Sequence, residues 1–375
     1  MARADTTIPP LSGEFELSLF GPGVGECVVV HLGHGDWMVV DSCLERDSVE
    51  PVAVHYLKNL GVDVKTAVRV VVLTHWHDDH IRGAARLVEA CASARVVCSA
   101  ALNVREFYTL LFAGGQALVQ SSGVEDFTGV LGVLKGRAQH GVRAASIGPE
   151  WVVAGTTVFR QNDLGIGAEA QVIALSPSSA TLTLSHRKLG ALLPRAKQPR
   201  RRIVALEPND LAVALWVDAG GVRALLGADL ETGRDEQTGW RAIVASAVRP
   251  PGRASTLKVP HHGSEGADYS GVWDELLEVE PFGFLTPYTP SRLPRERDLA
   301  RLRARTSSLY LTAPSSGVTP KPREHVVEKE MKSIAKKRRA LRGGVGHVRL
   351  RCALPASGGD AHPRIELFEP ASRVA

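Results

Sequence analysis

Residues 74–80 have the sequence Thr-His-Trp-His-Asp-Asp-His and directly follow the apolar run VRVVVL. Three histidines and two aspartates in seven residues are a high density of metal-binding groups. Imidazole nitrogens and carboxylate oxygens suit zinc and related divalent ions. A turn after a buried strand can aim such side chains at one point, whereas an ordinary polar surface loop seldom concentrates them. We therefore predict that His75, His77, Asp79 and His80 bind metal.

Two later stretches place further metal-binding groups after strand-like segments. In LLGAD, Asp229 follows an apolar run, and in KVPHHGS, His261 and His262 follow another. Taken alone, each of these residues is more often a turn or capping residue than a ligand. Three such groups at strand ends in one chain favour a shared metal site.

Strand-like segments recur along the chain and would position these groups. In the first half they are FELSLF, CVVVHLG, DWMVVDSC, VRVVVLTH and ARVVCSA. In the second half they are TTVFR, QVIALSP, DLAVALWVDAGG, VRALLGADL, STLKVPHHGS, FGFLTPYTP, SSLYLTA and GHVRLRC. Helices are predicted over VEPVAVHYLKNLG and IRGAARLVEACA, and near residues 103–140, 233–248 and 294–305. Two strand-rich halves with outer helices predict a layered α/β sandwich.

The composition is that of a globular protein with free thiols. The chain has 375 residues, of which 44% are hydrophobic, and this is ample for a sizeable core. Its five cysteines include no CxxC pair, which indicates free thiols in a reducing compartment. No segment has the apolar core of a signal peptide or the roughly 18 apolar residues of a membrane helix. We therefore expect a cytoplasmic protein without a membrane partner.

The chain is mildly basic, with a formal net charge of +5 and two positively charged segments. Residues 187–202 carry no acid and are predicted to be an excursion between two strands, and residues 321–342 are predicted to be an exposed helix. Cationic segments can neutralise the phosphates of nucleic acid, which makes binding depend on salt. Solvated surface is the usual alternative for a charge run. Neither run interleaves aromatic residues, so base stacking is not indicated.

THWHDDH matches HxHxDH, the signature of the metallo-β-lactamase fold, and the chain resembles that superfamily over residues 14–353. Asp41, the histidine cluster, Asp229 and the late histidines also follow one another in the superfamily's order. The stretches GVGE, LLGADLE and KVPHHGS are similar to the ComEC-like branch, which includes the hydrolase domain of DNA-uptake proteins and stand-alone cytoplasmic proteins. The resemblance implies a four-layer αββα sandwich of the metallo-β-lactamase type.

The resemblance also implies a domain organisation. Residues 1–13 would form an N-terminal arm, and residues 14–353 the fold domain. That domain would include the basic insertion near 187–202 and the basic helix near 321–342. Residues 354–375 would form a C-terminal tail, which we expect to be loosely ordered after residue 355.

Carried over by position, the superfamily's ligands assign most of the predicted metal site. His75 and His77 would bind the first metal, and Asp79 and His80 the second. Asp229 would bridge the two ions. The expected centre is therefore binuclear.

The last ligand is one of two adjacent histidines. The resemblance favours His262 over His261, because the superfamily histidine usually stands at the turn just before a small residue. His261 would then contact the substrate or support the ligands, although the choice between the two histidines stays open. Asp41 would order the histidine loop by hydrogen bonding rather than bind metal.

The sequence departs from the superfamily at two places. Many members supply another first-metal histidine before the bridging aspartate, but the matching residues 175–179 are Leu-Ser-Pro-Ser-Ser. His140 and His186 lie in this interval but not at a strand end. The first metal would therefore be held weakly, or with water completing its coordination. Residues 291–294, Ser-Arg-Leu-Pro, replace a His-Pro pair that is common in ComEC-like chains and whose histidine could donate a proton.

The function that this resemblance implies is metal-dependent hydrolysis. Two divalent ions about 3.5–4 Å apart can deprotonate a shared water and polarise the bond that it attacks. Zn²⁺ is the expected ion, with Mn²⁺ as the alternative, and Asp79 and His261 are the predicted catalytic residues. The ComEC-like features favour a phosphodiesterase or nuclease that acts on nucleic acid or a nucleotide.

Two other classes of function stay open. The same centre could hydrolyse a small ester, thioester or lactone, because the choice of substrate lies in the surrounding loops. The chain could instead be a partner-dependent effector with no catalytic activity of its own. The sequence specifies neither a protein partner nor an oligomeric state.

Overall fold

The protein is described from a computed structural model that covers residues 5–22, 25–102, 122–139, 148–162, 169–192, 208–315, 344–355 and 362–374. Within these residues, the strands form two eight-stranded sheets, and helices pack on the outer face of each sheet. This is the predicted four-layer αββα sandwich.

The first sheet contains most of the N-terminal strands and two C-terminal ones. Its strands are β1 (Glu14–Gly21), β2 (Cys27–His31), β3 (Trp37–Val40), β4 (Val68–Leu73), β5 (Arg95–Ser99), β6 (Glu150–Val152), β14 (Gly346–Ala353) and β15 (Arg364–Phe368). Their order across the sheet is β15-β14-β1-β2-β3-β4-β5-β6. Strands β3 to β6 are parallel, so their carboxyl ends lie along one edge of the sheet.

The second sheet has the same kind of parallel half. Its strands are β7 (Thr157–Gln161), β8 (Ala170–Ala174), β9 (Leu215–Ala219), β10 (Val222–Leu226), β11 (Ala254–Lys258), β12 (Leu277–Leu285), β13 (Leu309–Leu311) and β16 (Ser372–Arg373). Their order is β16-β13-β12-β11-β10-β9-β8-β7. Strands β10 to β13 are parallel, and the others pair antiparallel.

Helices cover both sheets. The α-helices are α1 (Val52–Asn59), α2 (Val64–Ala67), α3 (Asp78–Ile81), α4 (Ala84–Ala90), α5 (Ser122–Gln139), α6 (Ser179–Leu192), α7 (Gly239–Ala245) and α8 (Glu296–Arg303). Short 3-10 segments span Ala100–Leu102, Pro208–Leu211, Pro260–Gly263 and Glu265–Ala267, and a π-helical turn spans Val272–Leu276. Helices α1, α4 and α5 pack on the first sheet, and α7 and α8 pack on the second.

Strand β4 shows why the run before the histidines is continuously apolar. Val70 and Val72 point into the core between the two sheets. Val71 and Leu73 point into the core beneath the helices. Because successive side chains alternate between faces and both faces are covered, both sets must be apolar. The strand is therefore fixed from both sides, and the loop that follows it starts from a rigid position.

The prediction of a loosely ordered segment after residue 355 is wrong for residues 364–374. Strand β15 pairs with β14, and β16 pairs with β13, so this segment adds an edge strand to each sheet. Glu366 accepts a hydrogen bond of 2.7 Å from Arg349, and the ring of Phe368 stacks on His347. These side-chain contacts, together with the strand pairing, order the segment.

The two basic segments are only partly described. Residues 187–192 form the end of helix α6, which lies in the predicted excursion between two strands, β8 and β9. Residues 193–202 and the predicted basic helix at 321–342 lie outside the described residues. Among the residues that are described, no helix is long and apolar enough to span a membrane. The cytoplasmic location stays a prediction.

Candidate metal centre

The predicted ligands lie where the parallel strands of the two sheets end. Asp41 follows β3 and His75 follows β4 in the first sheet, while Asp229 follows β10 and His262 follows β11 in the second. In open α/β sheets, functional groups gather at the carboxyl ends of parallel strands. Here two such edges face each other, so loops from both sheets contribute to one site.

The side chains form two clusters of potential metal-binding atoms. In each cluster, one ligand atom per residue lies within 4.8 Å of all the others. The larger cluster is Asp79, His80, Asp229 and His262, and the smaller is His75, His77 and Asp229. The structure thus brings all six predicted ligands together, and the carboxylate of Asp229 belongs to both clusters.

Hydrogen bonds orient two of the histidines for metal binding. His80 donates from Nδ1 to Asp41 Oδ2 at 2.7 Å, and His262 donates from Nδ1 to the backbone oxygen of Thr286 at 2.9 Å. Each bond fixes the proton on Nδ1 and leaves Nε2 for a metal ion. His262 Nε2 lies 3.0 Å from Asp79 Oδ2 and 3.6 Å from Asp229 Oδ2.

Two buried atoms of the larger cluster show that the residues fit a metal ion. His80 Nε2 and Asp229 Oδ1 lie 3.2 Å apart, yet neither has a hydrogen-bond partner within the described part of the chain. A buried polar atom without a partner costs free energy. A divalent ion would satisfy both atoms at once, and a nitrogen-oxygen donor set suits zinc.

Asp41 holds the histidine loop, as predicted. Its Oδ1 accepts from the backbone N–H of Thr74 at 2.8 Å, and its Oδ2 accepts from the Thr74 hydroxyl at 2.8 Å. The same hydroxyl lies 3.0 Å from His75 Nδ1. Asp41 thereby positions His75 through Thr74 and His80 directly, which confirms its role as an ordering residue.

The charges of the centre favour cation binding. Burial alone would lower the pKa of His80, but the carboxylates of Asp229, Asp79 and Asp41 raise it well above its ordinary value. Burial alone would raise the pKa of Asp229, but His80, together with other nearby cations, holds it well below its usual range. The carboxylate of Asp229 is therefore ionised at neutral pH, and a metal ion would displace the proton of His80 on binding.

A buried ion pair supports the centre from the second sheet. Lys258 Nζ forms an ion pair with Glu26 Oε1, donates to the backbone oxygen of Ala228 at 2.9 Å, and lies 3.8 Å from Asp229 Oδ1. Sequence analysis did not assign either residue to the site. The available signal was the lysine itself, because a lysine at the end of a buried strand requires a partner.

A comparison with protein families matches residues 20–106 to the model of the metallo-beta-lactamase superfamily. This part of the chain is similar to the metallo-β-lactamase superfamily. It contains Asp41 and the histidine loop, whereas Asp229 and His262 lie beyond it. The superfamily is one of metal-dependent hydrolases, and the two clusters supply the donors that such a hydrolase requires.

Comparisons with solved structures give low scores. A metallo-β-lactamase of Cronobacter sakazakii with an altered HARLDQ motif is 15% identical, covering 64% of this chain and 75% of that chain, with a TM-score of 0.33. Metallo-β-lactamase SMB-1 bound to 2-mercaptoethanesulfonate is 16% identical, covering 69% and 82%, with a TM-score of 0.31. A CmlA β-hydroxylase mutant is 14% identical, covering 70% and 39%, with a TM-score of 0.32. A sequence comparison with curated proteins finds no match.

The first-metal cluster lacks the additional histidine found in many superfamily members. Among the described residues, His75, His77 and Asp229 are its only histidine, cysteine or acidic members. Ser176, at the matching place, donates from Oγ to the backbone oxygen of Ala212 and accepts from the backbone N–H of Ala214. The Ser176 hydroxyl group therefore bonds to the backbone of the segment that leads into strand β9. His186 lies on helix α6, and His140 lies outside the described residues.

The two adjacent histidines have different positions. His262 lies in the larger cluster, whereas His261 lies in neither. Both have left-handed backbone conformations, with φ of 45° at His261 and 51° at His262. His261 Nε2 lies 3.1 Å from Asn209 Nδ2, and its Nδ1 lies 3.5 Å from a carboxylate oxygen of Glu231. The geometry favours His262 as the ligand, and the catalytic role of His261 stays a prediction.

Gly25 lies within residues 20–106, just before strand β2. It allows the backbone there to approach the histidine loop closely. The backbone N–H of the next residue, Glu26, donates to the backbone oxygen of Asp79 at 2.8 Å. Gly25 has φ of +108°, and a Cβ added there would overlap the same oxygen. A side chain at residue 25 must therefore push the ligand Asp79 away from its position.

We expect Gly25→Ala to lower the free energy of unfolding by about 3 kcal/mol, through strain at positive φ and overlap with Asp79. It should also weaken zinc binding. Gly35→Ala is the matched control, because Gly35 has φ of +81° but nothing within 4 Å of an added Cβ. The control should lose about 1 kcal/mol and keep its zinc affinity. Urea unfolding and zinc titration measure both quantities, and equal losses in the two variants would contradict the proposed close approach.

Proposed function

We propose that this protein is a metal-dependent phosphodiesterase or nuclease of the ComEC-like kind. The observation that carries hydrolysis is the pair of buried clusters that share Asp229. The preference for a phosphodiester is supported by the resemblance of LLGADLE and KVPHHGS to that branch, and by the basic segment at residues 187–202.

The residues divide the metal centre into two parts. Asp79, His80, Asp229 and His262 would hold one ion, and His75, His77 and Asp229 the other. When bound, the two ions would acidify a shared water and polarise a phosphoryl oxygen. The fixed Nδ1 protons of His80 and His262 keep both rings turned toward the centre. Asp229 would be a ligand of both ions.

His261 lies beside the predicted ligand His262, with ring centroids 6.2 Å apart. Burial lowers its pKa, so the ring is neutral at neutral pH. Asn209 occupies Nε2, which places the proton on Nδ1, 3.5 Å from a carboxylate oxygen of Glu231. The contact of His261 with substrate stays a prediction.

A separate cavity, whose lining includes no predicted ligand, carries charges of both signs. Lys188 and Arg234 line it, and so do Asp210 and Asp235. Lys188 Nζ lies 4.0 Å from Asp210 Oδ2. Because acids balance the cations there, the support for an anionic substrate comes from the basic segments of the sequence, and their effect should weaken as salt rises.

The test uses the purified full chain, its metal content and labelled single- and double-stranded DNA and RNA. With added Zn²⁺ or Mn²⁺, we expect cleavage of at least one of these polymers, with a rate that falls as salt rises. Asp79→Ala should lose about 10³-fold or more of the activity, which excludes a contaminating nuclease.

Two results would assign the protein to another functional class. A metal-loaded chain that hydrolyses a nitrophenyl ester, a thioester or a lactone, but no phosphodiester, is a small-ester hydrolase. A metal-loaded chain that is inactive on all of these substrates until a protein partner is added is a partner-dependent effector. Either result would remove the phosphodiesterase proposal.

A further inference from the structure

Tyr288 lies against the metal centre and was not singled out by the sequence. Its ring stacks on the imidazole of His262, with ring centroids 4.9 Å apart and an angle of 17° between the ring planes. The side chain is partly exposed, whereas His262 is buried. One face of the tyrosine ring thus covers a predicted ligand, while part of the side chain remains open to solvent.

The backbone holds this ring in place. Tyr288 donates from its N–H to the backbone oxygen of Leu293 at 2.7 Å and accepts from the Leu293 N–H at 3.0 Å. Two residues earlier, the backbone oxygen of Thr286 accepts the Nδ1 proton of His262. A single segment therefore orients the imidazole and places the tyrosine on it. The position of the tyrosine ring is therefore fixed by the backbone and by the stacking.

The Tyr288 hydroxyl group is available as a donor. It makes no hydrogen bond with any described residue. A phenol ordinarily keeps its proton at neutral pH. A tyrosine ring that stacks on a predicted ligand can therefore donate one hydrogen bond to an oxygen bound at the centre.

We propose that Tyr288 donates a hydrogen bond to a phosphoryl oxygen of the substrate bound at the metal centre. The inference rests on the proposed phosphodiesterase function for the identity of that oxygen. It makes Tyr288 a substrate-contacting residue that is not a metal ligand. The segment Tyr288–Leu293, whose ends are joined by a β-bridge, contains no histidine. In this proposal Tyr288 is the hydrogen-bond donor that the segment contributes.

Tyr288→Phe is the decisive variant, because phenylalanine keeps the ring that stacks on His262 and removes only the hydroxyl. A preorganised donor to a developing negative charge contributes about 10²-fold to kcat. We therefore expect kcat on bis(p-nitrophenyl) phosphate to fall about 10²-fold, and affinity for inorganic phosphate to fall about 10-fold. Metal content should not change.

Tyr269→Phe is the matched control. The Tyr269 ring lies 5.0 Å from the guanidinium carbon of Arg241, and Tyr269 belongs to neither ligand cluster. The metal-loaded full chain and both variants would be compared by elemental analysis, by calorimetric titration with inorganic phosphate, and by steady-state kinetics. The control should match the unmodified chain in all three measurements.

The outcomes separate this proposal from the function on which it rests. Unchanged phosphate affinity and kcat in Tyr288→Phe would overturn the role of the hydroxyl and leave the phosphodiesterase intact. Loss of metal in Tyr288→Phe would also overturn it, because the residue would then act only by supporting His262. Weaker phosphate binding in Tyr288→Phe, in a chain that cleaves no phosphodiester, would support the donor and remove the proposed function. If the unmodified chain neither binds phosphate nor cleaves a phosphodiester, both proposals fail.

Discussion

Asp229→Asn is expected to leave a folded chain that loses both metal ions. Asp229 is the one residue shared by the two ligand clusters among the described residues. Asparagine has nearly the same shape, but its neutral amide cannot bridge two cations as a carboxylate does. We expect the metal content of the purified chain to fall to well under one ion, and hydrolytic activity to fall about 10³-fold or more.

His75→Ala should behave differently from Asp229→Asn. The larger cluster keeps its four ligands, Asp79, His80, Asp229 and His262, when His75 is removed. We therefore expect His75→Ala to retain one ion per chain and lose the other. The same asymmetry should show in the unmodified chain, because the smaller cluster would offer the first ion three protein ligands among the described residues. Dialysis against a chelator should remove that ion first.

The control for these metal measurements is Asp218→Asn. Asp218 lies in strand β9 of the same sheet as Asp229, but its carboxylate bonds to Arg223 and to the backbone N–H of Gly221. Elemental analysis and thermal unfolding of all three variants would distinguish metal loss from misfolding. Two ions retained in Asp229→Asn, or both lost in folded His75→Ala, would contradict the shared role of Asp229.

The sequence predicts which side chains the fold brings together because each of them has a local signal. Each ligand stretch follows an apolar strand, and the parallel strands bring their carboxyl ends to one edge. The continuous apolar run of β4 also predicts a strand with both faces covered. Strand and ligand signals of this kind can be recognised without knowing which distant residues contact the segment.

Other features depend on pairing between distant parts of the chain. Glu26 and Lys258 lie far apart in the sequence and meet only because the two sheets pack together. Tyr288 has no sequence signal, because its role depends on stacking against His262. The strands at 364–368 and 372–373 are short, and their pairing is decided by sheet edges that other segments provide. Such contacts produce no local pattern in the amino-acid sequence.

Lys258→Met is expected to destabilise the metal-free chain by about 3–5 kcal/mol, because it leaves Glu26 and Asp229 buried without their cation. Burial alone would lower the lysine's pKa, but Glu26 and Asp229 raise it, so Lys258 is charged in the folded chain. Methionine fills a similar volume without supplying charge. Urea unfolding of the metal-free proteins measures the difference.

The surface pair of Lys58 and Glu50 provides the control, with a Lys58 Nζ to Glu50 Oε1 distance of 2.6 Å and a largely exposed lysine. Lys58→Met should cost less than about 1 kcal/mol, because exposed ion pairs contribute little. If Lys258→Met costs no more than this control, the buried pair does not stabilise the centre.

Zinc should reverse part of the loss in Lys258→Met. The ion brings positive charge to Asp229, and the lysine that repels an incoming cation is absent. We therefore expect zinc to raise the free energy of unfolding more in Lys258→Met than in the unmodified chain. Glu26→Gln in the Lys258→Met background should restore further stability, because it removes the remaining unpaired charge. An equal zinc effect with and without Lys258 would show that the lysine does not offset the charge of the ligands. A larger effect would identify it as the cation that holds the site together before metal binds.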